Sequence, residues 1–182
     1  MFKVQEVLAK TGELITIREA VTADAVALRT LKLSYVRGTT TIPMYADEYK
    51  NDDAAEAVMI AEYQQSSNRL ILLAEFDGQL IGNIDLTGHQ RRKLAHTGMI
   101  GMGIHNDWQG RGIGSMLLQA ALEWAVDSPL KIVWLEVYAT NLAGRSIYEK
   151  CGFQTIGTMP NFINENGQFI DKIVMQMEVG SR

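Results

Sequence analysis

Cysteine is almost absent from the 182 residues, and Cys151 stands alone. An intrachain disulfide is therefore excluded, and a cysteine-rich zinc site with it. So little cysteine fits a reducing cytosol. A basic excess is missing too: 17 Lys and Arg face 21 Asp and Glu, for a net charge of -4. A nucleic-acid partner, which asks for a basic face, is not expected. No apolar run nears the roughly 18–20 residues of a membrane span. The opening MFKVQEVLAKTGELITI lacks the charged start, apolar middle and small-residue cleavage site of a secretory signal. The expectation is a soluble cytoplasmic protein with no membrane partner. Histidine is scarce as well, at three residues. No H-x-x-x-H or paired histidine–carboxylate spacing points to a metal.

What is present is a globular composition, 47% hydrophobic and 21% charged. A chain of this size can bury roughly 70% of its unfolded surface. One domain over residues 1–182 is expected, with its core at about 13–179. Glu13–Glu19 alternates like a strand, and Thr22 with Asp24 caps a helix to about Ser34. A loop rich in Thr and Tyr, Arg37–Tyr49, precedes a helix from about Asp52 to Gln65 with Ala54, Val58 and Ala61 on one face. Arg69–Phe76 and Gln79–Thr87 form a hairpin about Asp77-Gly78. Thr97–His105 is a strand whose three glycines predict a bulge or the close approach of another backbone or a ligand.

Farther on, Ile113, Met116, Leu117, Ala120, Ala121 and Trp124 draw a helical stripe through Gly112–Val126. Lys131–Ala139 is an apolar, β-branched central strand. Leu142–Lys150 is a short helix that Gly152 closes as a left-handed cap. Phe153–Thr158 and Lys172–Val179 are the last strands, with a turn at Asn166-Gly167. There is no internal repeat or linker. The fold class is α/β.

The segment Gln109-Gly-Arg-Gly-Ile-Gly114 lies between a strand and a helix. Its glycines allow the backbone to approach a ligand, and the helix start adds unpaired N–H groups and a positive dipole end. Phosphate or pyrophosphate suits such a site, and Arg111 can add a charged contact. The lysine of a nucleotide-hydrolase loop is absent, and the G-x-G-x-G spacing departs from the dinucleotide G-x-G-x-x-G. A tight turn with no ligand is the plainer alternative for such a loop.

Gln109-x-x-Gly112-x-Gly114 resembles the acetyl-CoA-binding signature of the GCN5-related N-acetyltransferases. Leu135–Asn141, followed by Ala143 and Ser146-Ile-Tyr-Glu-Lys-Cys-Gly-Phe153, is similar to that family's strand, asparagine and terminal helix. Two motifs in order, about 25 residues apart, are more specific than either alone. The strand and helix order over most of residues 13–179 agrees. The resemblance implies a single-domain fold with a twisted, mostly antiparallel mixed sheet flanked by helices. The basic loop with His96 and the stretch Asn166–Met175 resemble the branch that acetylates free amino acids or similar small amines.

The same resemblance implies direct transfer from acetyl-CoA to an amine, with no metal. Gly110, Arg111, Gly112, Ile113 and Gly114, opened by Gln109, would hold the pyrophosphate. Met102, Gly103 and Ile104, bulged and splayed from a neighbour, would pair with the pantetheine and aim an N–H at the thioester oxygen. Asn141 would bind the pantetheine arm, and Tyr148 would protonate the departing thiolate. The base is open among Asp85, Glu136 and His96.

Plainer roles stand beside these: Tyr148 as a half-buried packing residue, Asn141 as a helix cap, and Arg91-Arg92-Lys93 as a solvated loop. Cys151 is expected to pack beneath the cap. Tyr35, Arg37, Tyr45 and Tyr49 either shape an amine pocket or line a surface loop. The expected acceptor is an amino acid or other small-molecule amine. A protein or peptide N-terminus, or a non-catalytic acyl-CoA sensor, is the alternative. A homodimer would be ordinary for the family, and the acyl length is open because one methylene changes binding by only about 1–3 kcal/mol.

Overall fold

The computed structural model describes residues 2–180; residues 1, 181 and 182, which the one-domain expectation also spans, lie outside it. Eight strands make one open sheet in the order β1-β2-β3-β4-β5-β6-β8-β7. The strands are β1 Gln5–Leu8, β2 Leu14–Glu19, β3 Arg69–Phe76, β4 Gln79–Gly88, β5 Thr97–Ile104, β6 Ile132–Tyr138, β7 Gln154–Glu165 and β8 Gln168–Glu178. Every pairing is antiparallel except β5 with β6. The helices are α1 Ala25–Arg37, α2 Asp53–Gln64, α3 Ile113–Val126 and α4 Leu142–Lys150. No helix among the described residues is long and apolar enough to cross a membrane.

Two main cores lie on opposite faces, and a third, small cluster joins Tyr138, Ile163 and Ile170. The larger gathers Ile84, Leu86 and Ile100 of the sheet under Ile113, Leu117 and Ala121 of α3 and Tyr148 of α4. The smaller packs Leu28, Leu31 and Tyr35 of α1 and Ile60 of α2 on Ile71, Leu73 and Leu80. Covered on both sides, β3 is apolar almost throughout, and each fully buried Leu or Ile in it contributes roughly 1.5–3 kcal/mol.

Local chemistry sets the turns. Asp77 (φ 47°) with Gly78 (φ 77°), and Asn166 (φ 51°) with Gly167 (φ 88°), are paired left-handed turns of the primed type. Gly152 takes φ 98° after α4, as the cap reading expects.

Three expectations need correction. The inward face of α2 is Glu56 and Ile60, with Ala57, Met59 and Tyr63 at its margin; Val58 is exposed. A charged residue sits where an apolar stripe would be sought. β5 carries no register irregularity against β4, and the irregularities lie instead between Ala74 and Glu75 of β3 and at two places along β7. The strand glycines instead serve close approach: a Cβ on Gly103 would lie 2.2 Å from the Tyr35 ring, and one on Gly101 would lie 3.0 Å from the Asp85 carboxylate. Finally, β1 and the long β7 exceed the expectation, because β1 alternates between half-buried and exposed and nearly all of β7 is exposed.

Candidate active site

The site begins with a missing pairing. β5 and β6 pair only over Thr97–Met99 and Ile132–Trp134, after which they diverge. β6 keeps β8 as its other neighbour, and β5 keeps β4. Along β4–β5 the bonds His105 N to Ile81 O (2.9 Å) and His89 N to Thr97 O (3.2 Å) fix which residues face β4. By the antiparallel alternation Gly101 and Gly103 turn their N–H and C=O toward β4, while Met102 and Ile104 turn theirs into the opening. The free N–H groups of the expected triplet are therefore those of Met102 and Ile104, not that of Gly103. Gln109 closes part of this edge, its Nε2 donating to Ile104 O (3.3 Å) and to Asn106 Oδ1 (3.2 Å).

Above the opening lies the glycine loop. Gly110 (φ 77°) and Gly112 (φ 91°) are left-handed, and Gly112 starts α3 by accepting from Ser115 N (3.1 Å) and Met116 N (3.2 Å). The N–H groups of residues 110–114 donate to no acceptor among the described residues. Nothing lies within 4 Å of where a Cβ on Gly110 would stand. Such a cradle of free N–H groups at a helix start fits a pyrophosphate. Arg111 contributes backbone only: its guanidinium donates to Glu13 Oε1 (2.6 Å) and stacks 4.5 Å over Trp108.

α4 supplies two further groups. Asn141 Oδ1 caps the helix by accepting from Gly144 N (2.9 Å), which leaves its amide nitrogen without a partner among the described residues. Both readings of Asn141 are thus compatible. Tyr148 is 9% exposed, edge-on to Phe153 at 5.9 Å, and its hydroxyl has no partner within the protein among the described residues. Burial, helped by the Asp85 charge, pushes its phenol up to about 12. It stays protonated at neutral pH. Burial also raises the neighbouring Cys151 thiol, which keeps it from acting as a ready nucleophile.

Asp85 stands on the opposite face of the sheet, beneath α1 and α2. Burial drives its carboxyl up to about 6, against the pull of Lys32 and the Thr87 hydroxyl at 3.5 Å. Tyr35 crosses over Gly103 and donates to Asn83 Oδ1 (3.2 Å), and Tyr63 meets Thr87 Oγ1 at 2.6 Å. Over this face the 38–52 loop reaches the β7–β8 turn, where the Tyr45 hydroxyl donates to Asn166 Oδ1 (3.5 Å). Tyr35 and Tyr49 are therefore bonded inward, Tyr45 bridges, and Arg37 is exposed without a partner among the described residues.

Two base candidates fall outside this arrangement. Glu136, exposed on β6, forms an ion pair with Lys172 at 2.9 Å, and the Lys172 ammonium lies 3.7 Å over Phe162. His96 precedes β5 at the end where β5 and β6 still pair, about 16 Å of strand from Gly101. Exposed Arg91, Arg92 and Lys93 share that end. Sequence reasoning missed Asn83, Thr87, Lys32 and Glu56. The alternation of Asn83, Asp85 and Thr87 in an otherwise apolar strand was the signal available. Among the described residues no three His, Cys, Asp or Glu side chains gather as a metal would need.

Comparison with known proteins gives this fold a family. Residues 38–153, more than half of the chain, match the acetyltransferase (GNAT) family. The L-amino acid N-acetyltransferase AaaT of Escherichia coli (strain K12) is 26% identical over 165 residues, 88% of this chain and 96% of that protein. The [ribosomal protein bS18]-alanine N-acetyltransferase of Salmonella typhimurium is 28% identical over 81 residues, 44% and 55% of the two chains. A GNAT-family acetyltransferase from Streptococcus pneumoniae superposes with a TM-score of 0.88 at 28% identity, over 91% of this chain and 99% of that one. Salmonella typhimurium yncA, solved with its cofactor acetyl-CoA, shares the fold at a TM-score of 0.82 and 21% identity, over 92% and 95%. The chain belongs to the acetyltransferase (GNAT) family and is an N-acetyltransferase that uses acetyl-CoA.

Proposed function

We propose that the chain acetylates the amine of a small carboxylate-bearing molecule, foremost a free amino acid, with Asp85 as base and Tyr148 as acid. One observation carries this reading. The opening between β5 and β6 has the unpaired Met102 N–H on its edge, a protonated phenol on one face of the sheet and a carboxyl that titrates near neutrality on the other.

When bound, acetyl-CoA supplies the activated acyl group. The N–H groups of residues 110–114 meet its pyrophosphate, with Gln109 holding the loop to β5. The Asn141 amide nitrogen and the edge of Met102–Ile104 are left for the pantetheine amides. The Met102 N–H is the donor that meets charge as it grows on the carbonyl oxygen, where one such donor is worth about 3–4 kcal/mol. Asp85, at about 6, is mostly ionised at pH 7 and draws a proton from the incoming ammonium, directly or through a water. Tyr148, at about 12, still holds its proton for a departing thiolate whose conjugate acid lies around 8.5–10.

A small acceptor suits the roof formed by Tyr45 and Asn166 over the acceptor face. Arg37 is the cation left for a carboxylate, since Lys172 and Lys32 are already paired. The basic loop Arg91-Arg92-Lys93 lies at the far end of the sheet. A homodimer belongs to the reading, with β7 as its surface: Ile156, Met159, Phe162 and the adjoining Phe169 are all exposed.

Steady-state kinetics on two variants test the chemistry. Tyr148→Phe is expected to lower kcat on the order of 100-fold while acetyl-CoA affinity stays within about twofold. Asp85→Asn is expected to lose activity to a similar degree and to abolish the acid limb of the pH profile near 6. Wild-type turnover in both variants would overturn the assignment, and a sensor module would be indifferent to Tyr148→Phe.

A further inference from the structure

Glu56 is fully buried, 0% exposed, yet it lies on neither the acetyl-CoA opening nor the chemistry assigned above. Its two oxygens are fully engaged. Lys32 of α1 donates to Oε2 (2.9 Å), while Asn51 Nδ2 (3.1 Å) and the Tyr49 hydroxyl donate to Oε1. Arg29 of α1 donates to the Asn51 carbonyl (2.8 Å), and Asp52 caps α2 by accepting from Ala55 N (2.8 Å). The end of the acceptor loop is thereby locked between two helices, and its middle reaches Asn166 through Tyr45.

A buried ion pair is a poor source of stability, because desolvation offsets most of its attraction and an apolar pair of similar volume often does as well. What an apolar pair cannot supply is a grip on Tyr49 and Asn51 together with a cation and an anion close to Asp85. The groups whose charge or hydroxyl bears on Asp85 are Lys32 and Tyr35 from α1, Glu56 and Tyr63 from α2, Thr87 on its own strand and Tyr148 from α4. Lys32 favours the Asp85 carboxylate, and Glu56 opposes it.

We propose that Glu56 and Lys32 are positioning residues of the acceptor side, a buried pair that hangs the 38–52 loop over the sheet and sets opposite charges beside Asp85. The inference rests on the reading of Asp85 as base. Neither residue touches the reacting atoms in this scheme.

Their substitution has a signature that packing alone does not produce. In Lys32→Met the acid limb of kcat/KM moves upward by about half a pH unit or more, and in Glu56→Gln it moves downward by a similar amount. Tyr49→Phe removes the tether without changing charge, so it raises the acceptor KM several-fold and leaves the limb where it was. Circular dichroism and thermal melting select the variants that fold. If Glu56→Gln does not fold, Lys32→Met and Tyr49→Phe carry the test. Limbs that stay at the wild-type position in the charge variants, or that move in the same direction, together with an unchanged acceptor KM in Tyr49→Phe, overturn the proposal. Asp85→Asn separates the two failures: an acid limb that survives in it refutes Asp85 as base, and Tyr49→Phe then still decides the tether by KM.

Discussion

Asp85 gives up solvation where it stands. Its carboxyl titrates at about 6 in the folded protein against an ordinary 3.8, so the folded state binds this proton more tightly than the unfolded state. The sign follows from linkage: the favourable contribution is complete below about 3.8 and is lost as the pH rises through about 6. Asp85→Asn is therefore expected to be more stable than wild type by roughly 1–3 kcal/mol at pH 7 and about equal to it near pH 4. Urea denaturation at the two pH values checks this. A variant that is both inactive and more stable is what a functional carboxylate held against its own preference would give. Tyr148 behaves oppositely: a phenol at about 12 adds no alkaline limb to the rate profile below pH 10. An alkaline limb that disappears in Tyr148→Phe would count against that assignment.

At the scale of elements, the glycines of β5 and the caps of α4 invite substitution. Gly103→Ala would drive a methyl group into the Tyr35 ring, 2.2 Å from its Cζ, which cannot swing away as a flexible chain end does. A loss of about 1–3 kcal/mol is expected, with the acceptor KM raised because Tyr35 is displaced from the site. Asn141→Ala removes the cap of a nine-residue helix, at about 1 kcal/mol, and weakens acetyl-CoA binding as well. Thermal melting with acetyl-CoA titration separates the two effects.

Most elements were legible because they carry their own signals. The D-G and N-G turns demand left-handed φ, the stripe of α3 repeats at helical spacing, and Leu142–Lys150 is bracketed by Asn141 and Gly152. β1 was not legible, since four alternating residues at an edge hold little apolar character. The buried face of α2 was hidden because Glu56 owes its burial to Lys32, Tyr49 and Asn51, partners distant in the chain or on a loop. In the same way, the glycine loop and Tyr148 stand out as candidates because their motifs are written in the sequence. Choosing among Asp85, Glu136 and His96 needed the register, which alone shows Asp85 opposite Gly101 and His96 at the closed end of the strands.

Across the whole molecule, the proposed function rests on one place where neighbouring strands of the sheet part. Seven adjacent strand pairs make up the sheet, and β5 and β6 part after three residues. α3 and α4 cover one side of that gap and α1, α2 and the loop cover the other, so in the proposed reading donor and acceptor would approach from opposite faces. In the proposed reading a chain with net charge -4 would take a polyanion through the N–H groups of residues 110–114, which act locally whatever the overall charge. The most direct test is release of free CoA from acetyl-CoA, measured against the twenty amino acids alongside short peptides, polyamines and aminoglycosides. Release stimulated by free amino acids, and greatly reduced in Asp85→Asn, is the expected result. Release driven by peptides alone, or none with any acceptor, would contradict it.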